Sequence, residues 1–306
     1  MNPVILFVVL LAALAVRFDM DGTNGVDFFI NLPKSVAEAE AEAWVLTERP
    51  AGPLPSLFMY CFPDRVVCAL FDDTNYIAGL QISVSLTCPI LVRAKCAIES
   101  NNTVVSAVVI PVEQWSGNVY DMEATGFTLW TPSVPFWLES QTYWSLQQYF
   151  VTEDILRQPK EVRLASRNSN KLIQHGAVWV TGVGKELVRI GDTTAEVHDS
   201  IFTEQACIPW MGQHYYYNMS STTDCNVPLF PWFPMVDSGQ LIATGFMVLG
   251  KLDRPNIARQ WFETPVTAVV RAIVPSAPDC LFELTDNPGI LTMHIYYVEE
   301  PWTIMC

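Results

Sequence analysis

Leu80-Gln81-Ile82-Ser83-Val84-Ser85-Leu86-Thr87-Cys88 places an apolar residue at every even position and a polar one between each pair. Successive strand side chains point to opposite faces, so this period of two reads as a half-buried β-strand. The pattern extends outward in both directions. Thr103 to Val112, Thr125 to Trp130, Ala177 to Val183 and Leu187 to Ile190 are short, β-branched or aromatic, and bounded by Gly, Pro, Asn or Ser. Leu241 to Leu249, Val266 to Val274 and Ile290 to Val298 read the same way, with Gly182-Val183-Gly184-Lys185 as a hairpin turn. Twenty-one prolines break the helical windows and leave Ser145 to Leu156 as an internal helix candidate. Many short strands with frequent turn signals predict a mainly β chain of sandwich or barrel-like domains.

An echo at one spacing divides the chain. Cys88 recurs as Cys207, Ala124-Thr125-Gly126-Phe127 as Ala243-Thr244-Gly245-Phe246, and Leu172-x-x-His175 as Leu291-x-x-His294, each pair 119 residues apart (88 to 207, 124 to 243, 175 to 294). A repeated register is the mark of duplication. It predicts two tandem, internally duplicated β domains, residues 56–185 and 186–306. Ahead of them, the apolar run Val4 to Val16 ends in Ala13-Leu14-Ala15 and reads as a signal peptide over residues 1–15. Residues 16–55 follow as an N-terminal segment. There Ser35-Val36-Ala37-Glu38 is a capping-box pattern that predicts a short acidic helix from Val36 to about Glu48, stopped by Pro50. Ala51-Gly52-Pro53-Leu54-Pro55 reads as a Pro-rich linker.

Seventeen basic against thirty-two acidic residues leave a net charge of −15. Such an anionic chain repels phosphate backbones, which excludes nucleic acid as a partner. No later stretch has transmembrane length. Eight cysteines divide four and four between the copies and contain no Cys-x-x-Cys. After a signal peptide they imply disulfides closed within each copy, in a secreted, extracellular protein. Asn101-Asn102-Thr103 and Asn218-Met219-Ser220 are sequons for N-glycans at Asn101 and Asn218.

No metalloprotease, hydrolase-elbow or nucleotide-binding motif occurs. Two constellations in the second copy remain. His214, His294 and Glu263 form a two-His, one-carboxylate set of the kind that binds a divalent metal such as zinc, iron or copper, and burial of Glu263 would raise its pKa. Their spacing lacks the tight i, i+2 or i, i+4 pattern, and His175 shares the position of His294, which favours a scaffold role for that pair. The second constellation is the aromatic run 209–234. Trp210, Tyr215, Tyr217, Trp232 and Phe233 offer rigid platforms for a sugar ring, an apolar small molecule or a protein partner. The leading expectation is a secreted, disulfide-bonded glycoprotein that binds its small-molecule, glycan or protein ligand through that run. The alternative is a secreted metal-dependent hydrolase or oxidase using His214, Glu263 and His294.

Overall fold

The computed structural model describes residues 15–17, 29–85, 107–109, 122–133, 142–168, 171–253 and 261–306. The chain runs through β1 (Ala15–Arg17), β2 (Phe29–Asn31), α1 (Val36–Ala41), β3 (Val45–Thr47), β4 (Phe58–Cys61), β5 (Val67–Phe71) and β6 (Ile77–Ser85). It continues through β7 (Ala107–Val109), β8 (Thr128–Trp130), β9 (Tyr143–Tyr149), α2 (Glu153–Leu156), α3 (Lys160–Ser166), β10 (Ala177–Thr181) and β11 (Leu187–Gly191). The last part holds α4 (Thr194–His198), β12 (Phe202–Ile208), β13 (Gly212–Tyr217), β14 (Trp232–Asp237) and β15 (Gln240–Leu249). β16 (Lys251–Asp253), α5 (Thr267–Ile273), α6 (Asp279–Asp286) and β17 (Ile290–Tyr296) complete it. The protein is mainly β, as its alternating runs predict.

Two antiparallel sheets carry the fold. The first has the order β11-β10-β9-β6-β5-β4-β3, with β8 also on β9, and the second β12-β13-β14-β15-β17-β1-β2; β7 and β16 pair separately. The period-two pattern explains how the sheets meet. Val67, Ala69 and Phe71 of β5 and Leu80, Ile82 and Val84 of β6 point inward, as do Phe246 and Val248 of β15 and Leu291, Met293 and Ile295 of β17. These inner faces merge into one core, so each sheet removes the other's apolar face from water. The intervening residues face outward and are covered too. On the first sheet, Leu54, Leu57, Ile155 and Leu156 lie over Leu70, Ala78 and Tyr149. On the second, α5 and α6 lie over Phe233, Met235, Met247 and Tyr296.

Several expectations shift against this architecture. The strand at Leu80 is there, but its polar face is not solvated. Gln81 and Ser83 are buried, Gln81 Nε2 donates to Ser83 Oγ at 3.3 Å, and Gln147 Nε2 donates to Gln81 Oε1 at 2.8 Å. The covering group is the Pro-rich stretch read as a linker. Its Arg49 anchor donates to the carbonyls of Pro53 (2.8 Å) and Leu54 (2.5 Å), folding residues 49–57 into a plug. α1 starts where the capping pattern puts it, with Ser35 Oγ accepting from Glu38 N at 3.3 Å. It stops at Ala41 rather than near Glu48. Ala43 takes a left-handed φ of 59°, Trp44 turns into the core, and Val45–Thr47 pairs as β3. Within Ser145 to Leu156 only Glu153–Leu156 is helical, because Tyr143–Tyr149 is a central strand between β6 and β10. Val266 to Val274, read as a strand, is the helix α5.

Two of the matches made by the 119-residue spacing, those whose residues are all described, are not structurally alike. Ala124–Phe127 forms a turn with Gly126 at φ 104°, whereas Ala243–Phe246 lies inside β15. Leu172 and His175 precede β10 in a bend, whereas Leu291 and His294 are in β17. Resemblance between the sheets runs through other residues. Val36 N bonds Asn75 O and Ile77 N bonds Lys34 O (3.1 and 2.9 Å), and Thr194 N bonds Gly239 O and Leu241 N bonds Asp192 O (3.0 and 2.9 Å). Ser35 caps α1 as Thr193 caps α4. Tyr149 and Tyr296 stand at the same place in their sheets, opposite Gly79 and Ala243. The expected boundary between residues 185 and 186 also falls inside a hairpin of the first sheet, since β11 pairs with β10. Conversely β1 and β2, from the N-terminal segment, complete the second sheet on β17.

Three disulfides, Cys61–Cys68, Cys207–Cys306 and Cys225–Cys280, join cysteines of the same half. Cys88, Cys96 and the sequon at Asn101 lie outside the described residues, as do residues 1–14 of the apolar leader. Asn218 is exposed at the end of β13. Among the described residues no helix is long and apolar enough to cross a membrane.

Candidate functional site

The outer face of the second sheet brings His214, His294 and Glu263 together. Alternation along β17 turns Leu291, Met293 and Ile295 to the inter-sheet core and His294 outward; in β13 it turns Tyr215 inward and His214 and Tyr216 outward. Glu263 arrives from the segment before α5. That segment is held by a two-way backbone pair, Glu263 N to Thr292 O at 2.8 Å and Thr292 N to Glu263 O at 3.0 Å. Two residues earlier, Trp261 Nε1 donates to Asp64 Oδ2 at 2.7 Å and ties the segment to the first sheet.

His294 Nδ1 lies 3.2 Å from Glu263 Oε1, and both side chains are buried. The His214 and His294 rings stand nearly perpendicular with centroids 6.0 Å apart. Nδ1 of His214 is 3.0 Å from Gly212 O. A carbonyl can only accept, so Nδ1 carries the proton and donates. Phe233 is the wall between these groups, with its ring 4.7 Å from Tyr216, 5.9 Å from His214 and 5.5 Å from His294. Burial first, then the Glu263 carboxylate, pushes the Tyr216 phenol well above its ordinary pKa, so it stays a protonated donor.

Of these groups Tyr216, Glu263 and His294 line one end of a cavity of ≈ 370 Å³. Met211, Met247 and Ile290 floor it, Val270, Ile273 and Leu281 roof it, and Tyr216, Glu263, Thr292 and His294 supply its polar end. Sequence reading missed the roof because Val-rich segments favour strands. The signal was present, since Val266, Val269, Val270, Ile273 and Val274 follow the i, i+3, i+4, i+7, i+8 helical period. Two disulfides anchor this layer: Cys225–Cys280 holds α6, and Cys207–Cys306 holds the C-terminal tail to β12.

The aromatic run does not form an open platform. Tyr215, Trp232 and Phe233 are core residues, with Trp232 0% exposed and its Nε1 donating to Thr181 O between the sheets at 2.9 Å. Tyr217 is half-buried against Phe230, with centroids 4.6 Å apart, and only Trp210 is exposed, at 43%. Of these five, Phe233 stacks on the cavity-lining Tyr216. Among the described residues no group of three or more His, Cys, Asp or Glu side chains is found in an arrangement that could hold a metal ion; of the expected zinc, iron or copper ligands His214, Glu263 and His294, the pair described in polar contact is His294–Glu263. His198 is exposed on α4, beside Asp199 and Glu204.

On the corresponding face of the first sheet a loop, residues 49–57, lies over the strands. The row Leu70, Gly79, Tyr149 matches Met235, Ala243, Tyr296, and one step along it Gln147 matches His294. Over Gln147 lies Arg49, whose Nη2 donates to Gln147 Oε1 at 3.4 Å and to Tyr149 OH at 3.3 Å. The first sheet therefore fills with its own loop the place where the second keeps a cavity.

What the fold and site define is an antiparallel two-sheet protein with a roofed side cavity, stapled by disulfides. Comparison with protein-family models, with curated proteins and with solved structures finds no match.

Proposed function

We propose that this chain is a secreted, disulfide-bonded binding protein that holds a small, largely apolar molecule between the second sheet and α5–α6. The observation that carries this reading is the cavity itself: apolar walls with a few polar groups converging at one end are the usual form of a small-molecule site. Its volume falls within the ordinary range of about 300–1,000 Å³ for such pockets. The three disulfides fit an oxidising, extracellular setting. Exposed Asn218 is the described position suited to an N-glycan. We also read the two halves as copies of one unit, on the strength of their matching caps, turns and strand order.

The test is titration with the neutral fluorophore N-phenyl-1-naphthylamine. Saturable enhancement at one site is expected, and it should disappear in Val270→Trp, which fills the cavity from its roof. A variant that keeps its thermal stability and binds the probe like the original protein would remove this cavity from consideration.

A further inference from the structure

We infer that Cys280 is a thiol-exchange site, and that opening its bond to Cys225 with a small aminothiol frees the roof formed by α5 and α6. Release of a ligand in consequence rests on the binding reading above; the exchange itself does not.

Cys225 and Cys280 both line a second, surface pocket of ≈ 200 Å³, with Asp224, Glu283 and Leu284 beside them. Cys225 is buried and Cys280 only half-buried, so an incoming thiolate reaches Cys280 Sγ. The other described bonds differ. Cys61 and Cys68 are 1% and 0% exposed and pack with Leu54 and Leu57. Cys306 is exposed, but its bond to Cys207 ties down the C-terminal tail and leaves α6 attached.

α6 belongs to both walls, with Leu281 lining the larger cavity and Cys280, Glu283 and Leu284 the pocket. α5 and α6 hold each other through the Arg271 guanidinium, 3.8 Å over the Phe282 ring, and through Thr267 Oγ1, which donates to Asp286. Cys225–Cys280 is the covalent tie from this pair to the loop between β13 and β14.

The reagent thiolate bonds to Cys280 Sγ, the Cys225–Cys280 bond breaks, and Cys225 leaves as a thiolate that takes a proton from water. A second reagent thiolate then attacks the mixed disulfide, forms the reagent's own disulfide and releases the Cys280 thiol. The protein bond is reduced and the reagent oxidised. Asp224 and Glu283 choose the reagent's charge. No Lys or Arg lines the pocket among the described residues, so an ammonium group is attracted there and a carboxylate repelled.

The experiment treats the full chain at neutral pH with cysteamine, 2-mercaptoethanol or 3-mercaptopropionate. Each rate is divided by the same reagent's rate on bis(2-hydroxyethyl) disulfide, which removes differences in intrinsic reactivity. Peptide mapping after alkylation reads which bond opens, and amide hydrogen exchange over residues 279–286 reads the roof. Cys225–Cys280 is expected to open in the folded protein, cysteamine acting about three- to tenfold faster than 3-mercaptopropionate with 2-mercaptoethanol between them. Asp224→Asn combined with Glu283→Gln should bring the three rates together. Amide exchange over 279–286 should rise at least about tenfold. N-phenyl-1-naphthylamine should bind about three- to tenfold more weakly, as for a roof closed about a tenth to a third of the time. Cys207→Ser with Cys306→Ser should leave all of this unchanged. A bond that opens only in unfolding denaturant overturns the inference, as does opening without faster amide exchange, or equal normalised rates for the three reagents. If the bond and the roof open as expected but the fluorophore never binds the untreated protein, the cavity reading falls and the exchange site stands.

Discussion

Single positions decide how closely the parts of this protein approach one another. Gly245 lies in β15 directly beneath Phe233, and a Cβ there would come within 1.9 Å of the ring. The absent side chain is what lets Phe233 lie flat across the strand and stack on Tyr216. Gly245→Ala should therefore cost about 1–3 kcal/mol through overpacking and shift the cavity wall. Denaturant melts with fluorophore titration will check this, and unchanged values in both would show that the ring relocates freely. Tyr149 marks the matching place in the first sheet. Burial, partly offset by Arg49, raises its phenol to about 12 from an ordinary 10.0. A raised folded-state pKa contributes stability in full below pH 10, and that contribution is lost as pH climbs through about 12. Tyr149→Phe is expected to flatten the alkaline fall in stability over that window, read from melting temperature against pH.

At the scale of elements, the roof of the cavity depends on covalent anchoring. α5 has seven residues and α6 eight, too short to hold themselves in water. They persist because they pack on Phe233, Met235 and Met247 and because Cys280 is bonded to Cys225. Replacing both cysteines by serine should lower stability by about 2–4 kcal/mol and weaken fluorophore binding more than the loss of the Cys61–Cys68 bond on the opposite sheet. Equal effects from the two bonds would contradict the roof's dependence on its staple. How legible the elements were follows from the range of the forces that form them. The Leu80 strand was readable because period two is local. α5 carried a readable helical period that β-branched composition masked. The convergence of His214, Glu263 and His294 was sensed only as a shared location in the second half, since Glu263 joins β17 through a single bridge to Thr292. The burial of Trp232 and Phe233 was not readable at all. Which aromatics face a partner sheet is settled by packing between residues far apart in the chain. An ungapped spacing likewise could not align Ser35 with Thr193 and Tyr149 with Tyr296, because insertions of unequal length separate them.

For the whole molecule, the exchange of hairpins matters most. The segment 186–306 contains β11 to β17 but neither β1, β2 nor the other strands of the first sheet that shares its core. Produced alone, it is expected to stay unfolded or aggregate, because its central β17 becomes an open edge; a dispersed amide spectrum from a monomeric 186–306 fragment would refute this. The same exchange fixes an order of events during synthesis. Every strand of the first sheet has been made once Gly191 emerges, so that half can close early. The opening strands of the second sheet must wait for Tyr296, the partner of Ala15. At about 5–20 residues per second, roughly a quarter of a minute to a minute passes between the two. Throughout that interval the growing chain carries an unmatched strand at its leading end, and the ribosome, rather than the finished fold, sets how long it is left exposed.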